Sequence, residues 1–313
     1  MTSESTADLP DQTGRTVLIT GANSGLGLAS AEALARRGAT VLMACRDPAR
    51  AEVARTSVAE VAAGPQPRTV PLDLADLASV RAAAESVGGS VERLDVLMNN
   101  AGVMAPPLSR TADGFELQLG TNHLGHFALT GLLLPSLRRA TAPRVVTTSS
   151  SMHRQARGRW DDLNYERTTY RRWPAYGRSK LANLLFVREL GRRAAAAGSD
   201  LVSIGAHPGY AATQLQVNTA RSSGNRVAAT VLGAVMAAGN AVLGQPAAGG
   251  ARPQLYAATA PEVRSGDYYG PGGPFEMRGA PRPAGMSSAA RDDAAARRLW
   301  EASEELTGVT YAW

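Results

Sequence analysis

Tyr176 and Lys180 stand four residues apart in Tyr176-Gly-Arg-Ser-Lys180, a stretch that runs into the helical apolar spacing of residues 181–190. On a helix, positions i and i+4 share a face, so the phenol and the ammonium project side by side. Pro174 suits the first turn of that helix, where its missing N–H costs nothing. A cation beside a phenol favours the phenolate and lowers the tyrosine pKa, which makes Tyr176 a candidate general acid/base near neutral pH. Lys180 is the only lysine in the chain, every other basic residue being arginine. Lysine is a compact point charge where arginine is a bulky fork. The pair by itself also fits an ordinary surface helix, so the rest of the chain has to decide.

A second chemistry lies near the start. Thr20-Gly21-Ala-Asn23-Ser24-Gly25-Leu26-Gly27 falls between a strand-like run, Arg15 to Thr20, and a helical run from Leu28 to Arg37. In that context glycines let the backbone approach a pyrophosphate, and the helix N-terminus offers N–H donors. At the end of the second strand a carboxylate reads a free ribose 2′-hydroxyl, whereas an arginine accommodates a 2′-phosphate. Here the order is Ala44-Cys45-Arg46-Asp47-Pro48. Asp47 is expected to cap the next helix ahead of a first-turn proline, leaving Arg46 to face the ligand and NADP(H) preferred over NAD(H). Asp73-Leu74 and Asn99-Asn100-Ala101-Gly102 follow the third and fourth strands, where such folds bind ligands.

The elements that hold these groups alternate. Strands are expected at 15–20, 40–44, 68–72, 94–98, 144–148 and 201–206, with a short last one near 267–269. Helices are expected at 28–37, from Pro48 to about 62, 77–87, 112–139 with a break near Gly120 to Gly125, after Pro174, and 290–306. The alternation implies an α/β Rossmann fold: a doubly wound parallel sheet of about seven strands, helices on both faces. Residues 1–14 read as a mobile leader and 15–313 as a single domain. Within it, 210–245 is a helical substrate lid and 289–313 a C-terminal helix and tail. The 313 residues carry a net charge of +6 that is spread rather than clustered, with no nucleic-acid motif. One cysteine, Cys45, excludes a disulfide framework and a Cys-based zinc site and suits a reducing cytoplasm. No metal site is expected. Val227 to Leu243 is apolar but short for a membrane span.

In this order, Thr20-Gly-x-x-x-Gly-x-Gly27, Asp73-Leu74, Asn99 to Gly102, Asn122, serines after Val145-Val146, Tyr176-x-x-x-Lys180 and His207-Pro208-Gly209 resemble the short-chain dehydrogenase/reductase family over residues 15–210. Asn122-His-Leu-Gly-His-Phe127, Ser179-Lys-Leu-Ala-Asn183 and Gly250-Ala-x-x-x-Leu255-Tyr256 are similar to its retinol-dehydrogenase-like and WW-domain-oxidoreductase-like branch. The lead Asp8 to Arg15 looks like actinobacterial members. The resemblance implies a quartet: Tyr176 as proton donor or acceptor, Lys180 lowering its pKa and bonding the nicotinamide ribose, a serine on the substrate oxygen, and Asn122 holding a water behind Lys180. Aligning Arg144-Val-Val-Thr-Thr-Ser-Ser with the family pattern puts the serine at Ser150. The resemblance also implies that Pro208-Gly209 passes under the nicotinamide, that Thr213 contacts the cofactor, and that two long helices pair between subunits in a homodimer or homotetramer.

The expected substrate is a small lipophilic alcohol or ketone, and the arginines of 152–172 are expected as a solvated rim. His123, His126 and His153 are read as packing or substrate-rim residues. Two alternatives stand beside an active oxidoreductase: a nucleotide-binding protein without chemistry, and a carbon–carbon double-bond reductase. The latter lacks a cysteine on the substrate side.

Overall fold

The computed structural model describes residues 9–156, 158, 160–209 and 246–313. The expected lid, Thr213, the Val227–Leu243 segment, Arg157, Arg159 and the first eight residues of the leader lie outside the described residues.

Four apolar runs make the centre of the sheet: β1 (Thr16–Thr20), β2 (Thr40–Cys45), β4 (Val96–Asn99) and β5 (Arg144–Thr148). Their residues are buried on both faces, which is why they read as continuous apolar runs rather than alternating ones. Among the described residues the order is β3-β2-β1-β4-β5-β6-β7-β8, with β3 (Arg68–Pro71), β6 (Val202–Ala206), β7 (Tyr268–Pro271) and β8 (Pro281–Pro283). Seven strands are parallel and β8 returns antiparallel on β7. The strand order reverses between β1 and β4. That crevice at the carboxyl ends is where open α/β sheets bind ligands.

Alternate side chains of each strand feed opposite layers. Val17, Ile19, Val41 and Met43 pack with α1 (Gly25–Arg36), α2 (Pro48–Val61) and the helix we number α7 (Ala247–Thr259). Leu18, Leu42, Leu97 and Val145 pack with α3 (Leu77–Ser90), α5 (Gly125–Arg138) and α6 (Arg172–Ala196). Asp47 caps α2 by accepting from Arg50 N at 3.1 Å, as the Asp-Pro pair suggests.

The long helix expected from residue 112 begins later. Arg110 and Glu116 form an antiparallel bridge closed by Gly114 at φ +87°, and Glu116 then caps the three-residue α4 (Leu117–Leu119) through the N–H groups of Gln118 and Leu119. The expected break is a π-helical turn, Gly120–Leu124, running directly into α5.

The last helix, α8 (Asp293–Thr307), is capped by Asp292 and ends on Gly308 in the left-handed conformation. Its buried residues include Ala295, Ala296, Leu299, Trp300 and Ser303, spaced for one apolar face. Trp300 stacks on Phe186 of α6 with centroids 5.9 Å apart and meets Phe127 of α5 edge-on at 5.0 Å. Tyr311 in the tail donates to the Phe127 carbonyl. The tail after α8 and α8 itself thus cover part of the surface of α5 and α6. Among the described residues, no helix is long and apolar enough to cross a membrane.

Trp300→Ala is expected to destabilise the protein by about 3–5 kcal/mol. A fall in the urea midpoint at unchanged slope checks this.

Candidate active site

Strand ends bring the sequence candidates together. Thr20 closes β1, and its hydroxyl accepts from Asn100 N and Ala101 N, both at 2.9 Å. Asn100 Nδ2 returns to Thr20 O at 2.7 Å. The loop after β1 and the loop after β4 are therefore one hydrogen-bonded unit. Gly21 and Gly25 have positive φ, a conformation costly for other residues. At Gly27 a Cβ would lie 2.3 Å from Gly21 O and 2.7 Å from Asn100 Nδ2, so helix and loop meet backbone to backbone. Ser24 starts α1 without a side-chain cap among the described residues, which leaves the first-turn N–H groups available to an anion. The glycine loop therefore fits a pyrophosphate.

Arg46 is exposed just past β2, and Asp47 beside it is committed to capping. Cys45 lies beneath the glycine loop, where its sulfur accepts from the Ala22 and Asn23 N–H groups; burial pushes its thiol up to about 11. Asp73 accepts from Ala75 N at 2.9 Å and shapes the turn after β3, and the Leu74 carbonyl packs on Gly125 of α5. Gly209, at φ +67°, donates to His207 Nδ1 and packs against the carbonyls of Glu276 and Met277.

Opposite the glycine loop, Ser150, Tyr176 and Lys180 come together from β5 and α6. Ser149 and Ser150 have different duties. Ser149 Oγ donates to Lys180 O at 2.8 Å, whereas Ser150 Oγ accepts from Met152 N at 3.2 Å and hydrogen-bonds Tyr176. Lys180 is 3% exposed; its Nζ donates to Thr148 O at 3.1 Å and lies 5.8 Å from the Tyr176 ring centroid. Asn183 Nδ2 donates to the same carbonyl at 2.9 Å.

The electrostatics correct one expectation. Tyr176 is not acidified here: burial pushes it up to about 12, against which the Ser150 hydrogen bond works. Burial also pulls Lys180 down to about 8. Both shifts have one cause, since a dry site disfavours whichever form is charged. The four-residue spacing reveals the neighbouring charge but not the burial.

Asn122 is held in the π-helical turn with its side chain fully engaged. Its Oδ1 accepts from Val103 N at 2.7 Å, and its Nδ2 donates to Val103 O and Ser179 Oγ. Ser179 donates on to Tyr176 O at 2.8 Å. A Cβ on Gly102 would lie 2.9 Å from Asn122 Oδ1 and 3.4 Å from Lys180 Nζ, so the glycine keeps this corner open.

The histidines are interior rather than rim residues. Burial lowers His123 to about 3 and His126 to about 4, leaving both neutral. His126 Nδ1 lies 3.1 Å from Asn122 O and so carries its proton there; Nε2, 2.9 Å from Thr20 Oγ1, accepts. Asn122 is thereby tied to the glycine-loop strand through a residue read from sequence as packing or substrate rim. His153 holds Ser150 O, and Arg154 pairs with Glu276 at 2.7 Å. Arg167 lies 3.8 Å from Asp161, while the Asp162 carboxylate accepts from the N–H groups of Glu166, Arg167 and Thr168.

A dinucleotide cradle at the switch point of a parallel sheet, facing a half-buried serine and a buried tyrosine and lysine, defines a nucleotide-dependent oxidoreductase. The chain belongs to the short-chain dehydrogenases, whose family model matches residues 15–223. It is 41% identical to human retinol dehydrogenase 14 over 95% of this chain and 87% of that protein. It is 39% identical to human retinol dehydrogenase 13 over 95% and 85%. A crystal structure of an uncharacterized protein from Mycobacterium paratuberculosis superposes with a TM-score of 0.80 at 44% identity, covering both chains fully.

Gly27→Ala is expected to abolish detectable NADPH binding while the fold persists. Fluorescence titration together with an unchanged far-UV spectrum checks this.

Proposed function

We propose that this chain is an NADP(H)-dependent dehydrogenase/reductase of lipophilic secondary alcohols and ketones or aldehydes, acting in the cytoplasm. The observation that carries the reading is the buried Tyr176–Lys180 pair, with the half-buried Ser150 hydrogen-bonded to the phenol, across the crevice from the glycine loop. Gly21, Asn23, Ser24, Gly25, Leu26 and Gly27 would hold the pyrophosphate, and Arg46 the 2′-phosphate. Asp73, Leu74, Asn100, Ala101, Gly102, Pro208 and Gly209 would line the remaining cofactor path. The nicotinamide, when bound, supplies hydride chemistry that side chains lack. Tyr176 Oη gives its proton to the substrate oxygen during reduction and takes it back during oxidation, with Ser150 Oγ as second partner of that oxygen. Lys180 contributes positive charge beside the phenol as negative charge develops.

Three observations favour this over the alternatives. A pure nucleotide binder gains nothing from a buried ammonium beside a phenol. A double-bond reductase with a cysteine donor would need that thiol near Tyr176, whereas Cys45 lies under the glycine loop. The relatives named for retinol support a lipophilic alcohol.

The test is a panel of ketones and alcohols followed by NADPH and NADH absorbance. Reduction of apolar ketones with NADPH is expected, and Tyr176→Phe should lower kcat/KM by about 10²–10⁴-fold. Arg46→Ala should raise KM for NADPH far more than for NADH, and equal changes would remove the 2′-phosphate assignment.

A pH profile tests the electrostatics separately. Tyr176 keeps its proton to about 12, so Lys180, pulled down to about 8, is the group that loses charge first. Ketone reduction should therefore fall as pH rises through about 8. A rate flat to pH 10 or so would contradict the buried-ammonium reading.

A further inference from the structure

One buried amide touches three separate segments of the site. Gln254, on α7 and 3% exposed, accepts from Thr148 Oγ1 at 3.0 Å through Oε1. Its Nε2 faces Ser30 Oγ at 2.8 Å, Asn100 Oδ1 at 3.2 Å and Leu26 O at 3.4 Å. The amide orientation is fixed by chemistry. Asn100 already donates through Nδ2 to Thr20 O, so its Oδ1 is an acceptor and must meet the N–H end of Gln254. Leu26 and Ser30 belong to the first turns of α1, behind the glycine loop. Asn100 belongs to the loop after β4. Thr148 ends β5, and its carbonyl receives Lys180 Nζ and Asn183 Nδ2.

We propose that Gln254 is a positioning residue that holds the phosphate loop, the Asn100 loop and the Lys180 acceptor in register. It touches neither the reacting atoms nor Lys180. Instead it fixes, from behind the sheet, the distance between the two halves of the site: the half that holds phosphates and the half that carries the ammonium. A buried amide with four polar neighbours orients them only while all are satisfied. The apolar surroundings on α7, where Ala251, Leu255 and Ala258 are buried, offer no substitute partner. The inference rests on the cofactor reading above.

The experiment compares wild type with Gln254→Leu, which keeps most of the volume and removes every polar contact. The expected result is a KM for NADPH raised about tenfold, in line with buried partners left unpaired, with the KM for the ketone unchanged within about twofold. The alkaline limb of the reduction profile should shift as well, because the carbonyl that holds Lys180 is no longer braced. Thr148→Val removes the hydroxyl contact alone and should raise the NADPH KM about threefold; Thr148→Ser should restore it. The double variant should be no worse than Gln254→Leu alone, since both changes cut one network. A merely structural role would lower the melting temperature and leave the NADPH KM and the pH profile as in wild type, and that result overturns the inference. If Gln254→Leu does not fold, Thr148→Val and Ser30→Ala carry the test, and normal NADPH KM values in both overturn it. Failure of the wild type to bind NADPH overturns the proposed function and this inference with it. Wild-type binding with an unaffected Gln254→Leu overturns the inference alone.

Discussion

The ammonium of Lys180 is nearly sealed from water, and it donates to the carbonyl of Thr148 at the end of β5. Taking such a charge out of water costs on the order of several kcal/mol unless polar groups meet it. A carbonyl in a parallel ladder is a fixed dipole that needs no reorganisation to meet it, and Thr148 is paired in register with Ala206 on β6. The architecture around the site follows from keeping that dipole still. Asn183 shares it from one helical turn further along α6, Ser149 bonds the backbone of Lys180 itself, and Asn122 ties the π-helical turn to α6 through Ser179. The preference of this buried pocket for uncharged groups is what raises Tyr176 and lowers Lys180 together.

The other half of the site is governed by contact distance rather than charge. Gly21, Gly27, Gly102 and Gly125 stand where backbone approaches backbone or a catalytic side chain too closely for a Cβ. Thr20 then joins the glycine loop to the Asn100 loop without any bulky group. His126 passes this connection on to Asn122, so the two halves are joined through a neutral, buried imidazole. Such a network specifies one arrangement as long as every member is satisfied.

The sequence was legible where one local rule decides the outcome. Apolar runs marked the central strands, Asp47-Pro48 marked the start of α2, and the Tyr176–Lys180 spacing placed both groups on one helix. The stretch Gly120 to Gly125 marked the break that became the π-helical turn. What it did not reveal depends on contacts distant in sequence. The direction of the Tyr176 shift required knowing that β5 and α6 exclude water. Gln254 shares its helix with Arg252 and Thr259, and no periodicity separates it from an exposed position. The linking role of His126 was hidden because its partners lie 106 residues away at Thr20 and within the turn at Asn122. The eighth strand was hidden because Pro281 and Pro283 argue against a strand everywhere except at an edge.

Those same prolines govern what the outer rim of the sheet can do. β8 runs antiparallel to β7 with Pro271 opposite Pro281 and Tyr269 opposite Pro283. Two of its three residues therefore have no amide hydrogen to offer an incoming strand. At the far rim, β3 also ends on a proline, Pro71, behind the exposed Arg68. Prolines at both rims, with a charged residue at the β3 rim, oppose the addition of a neighbour's backbone as an extra strand.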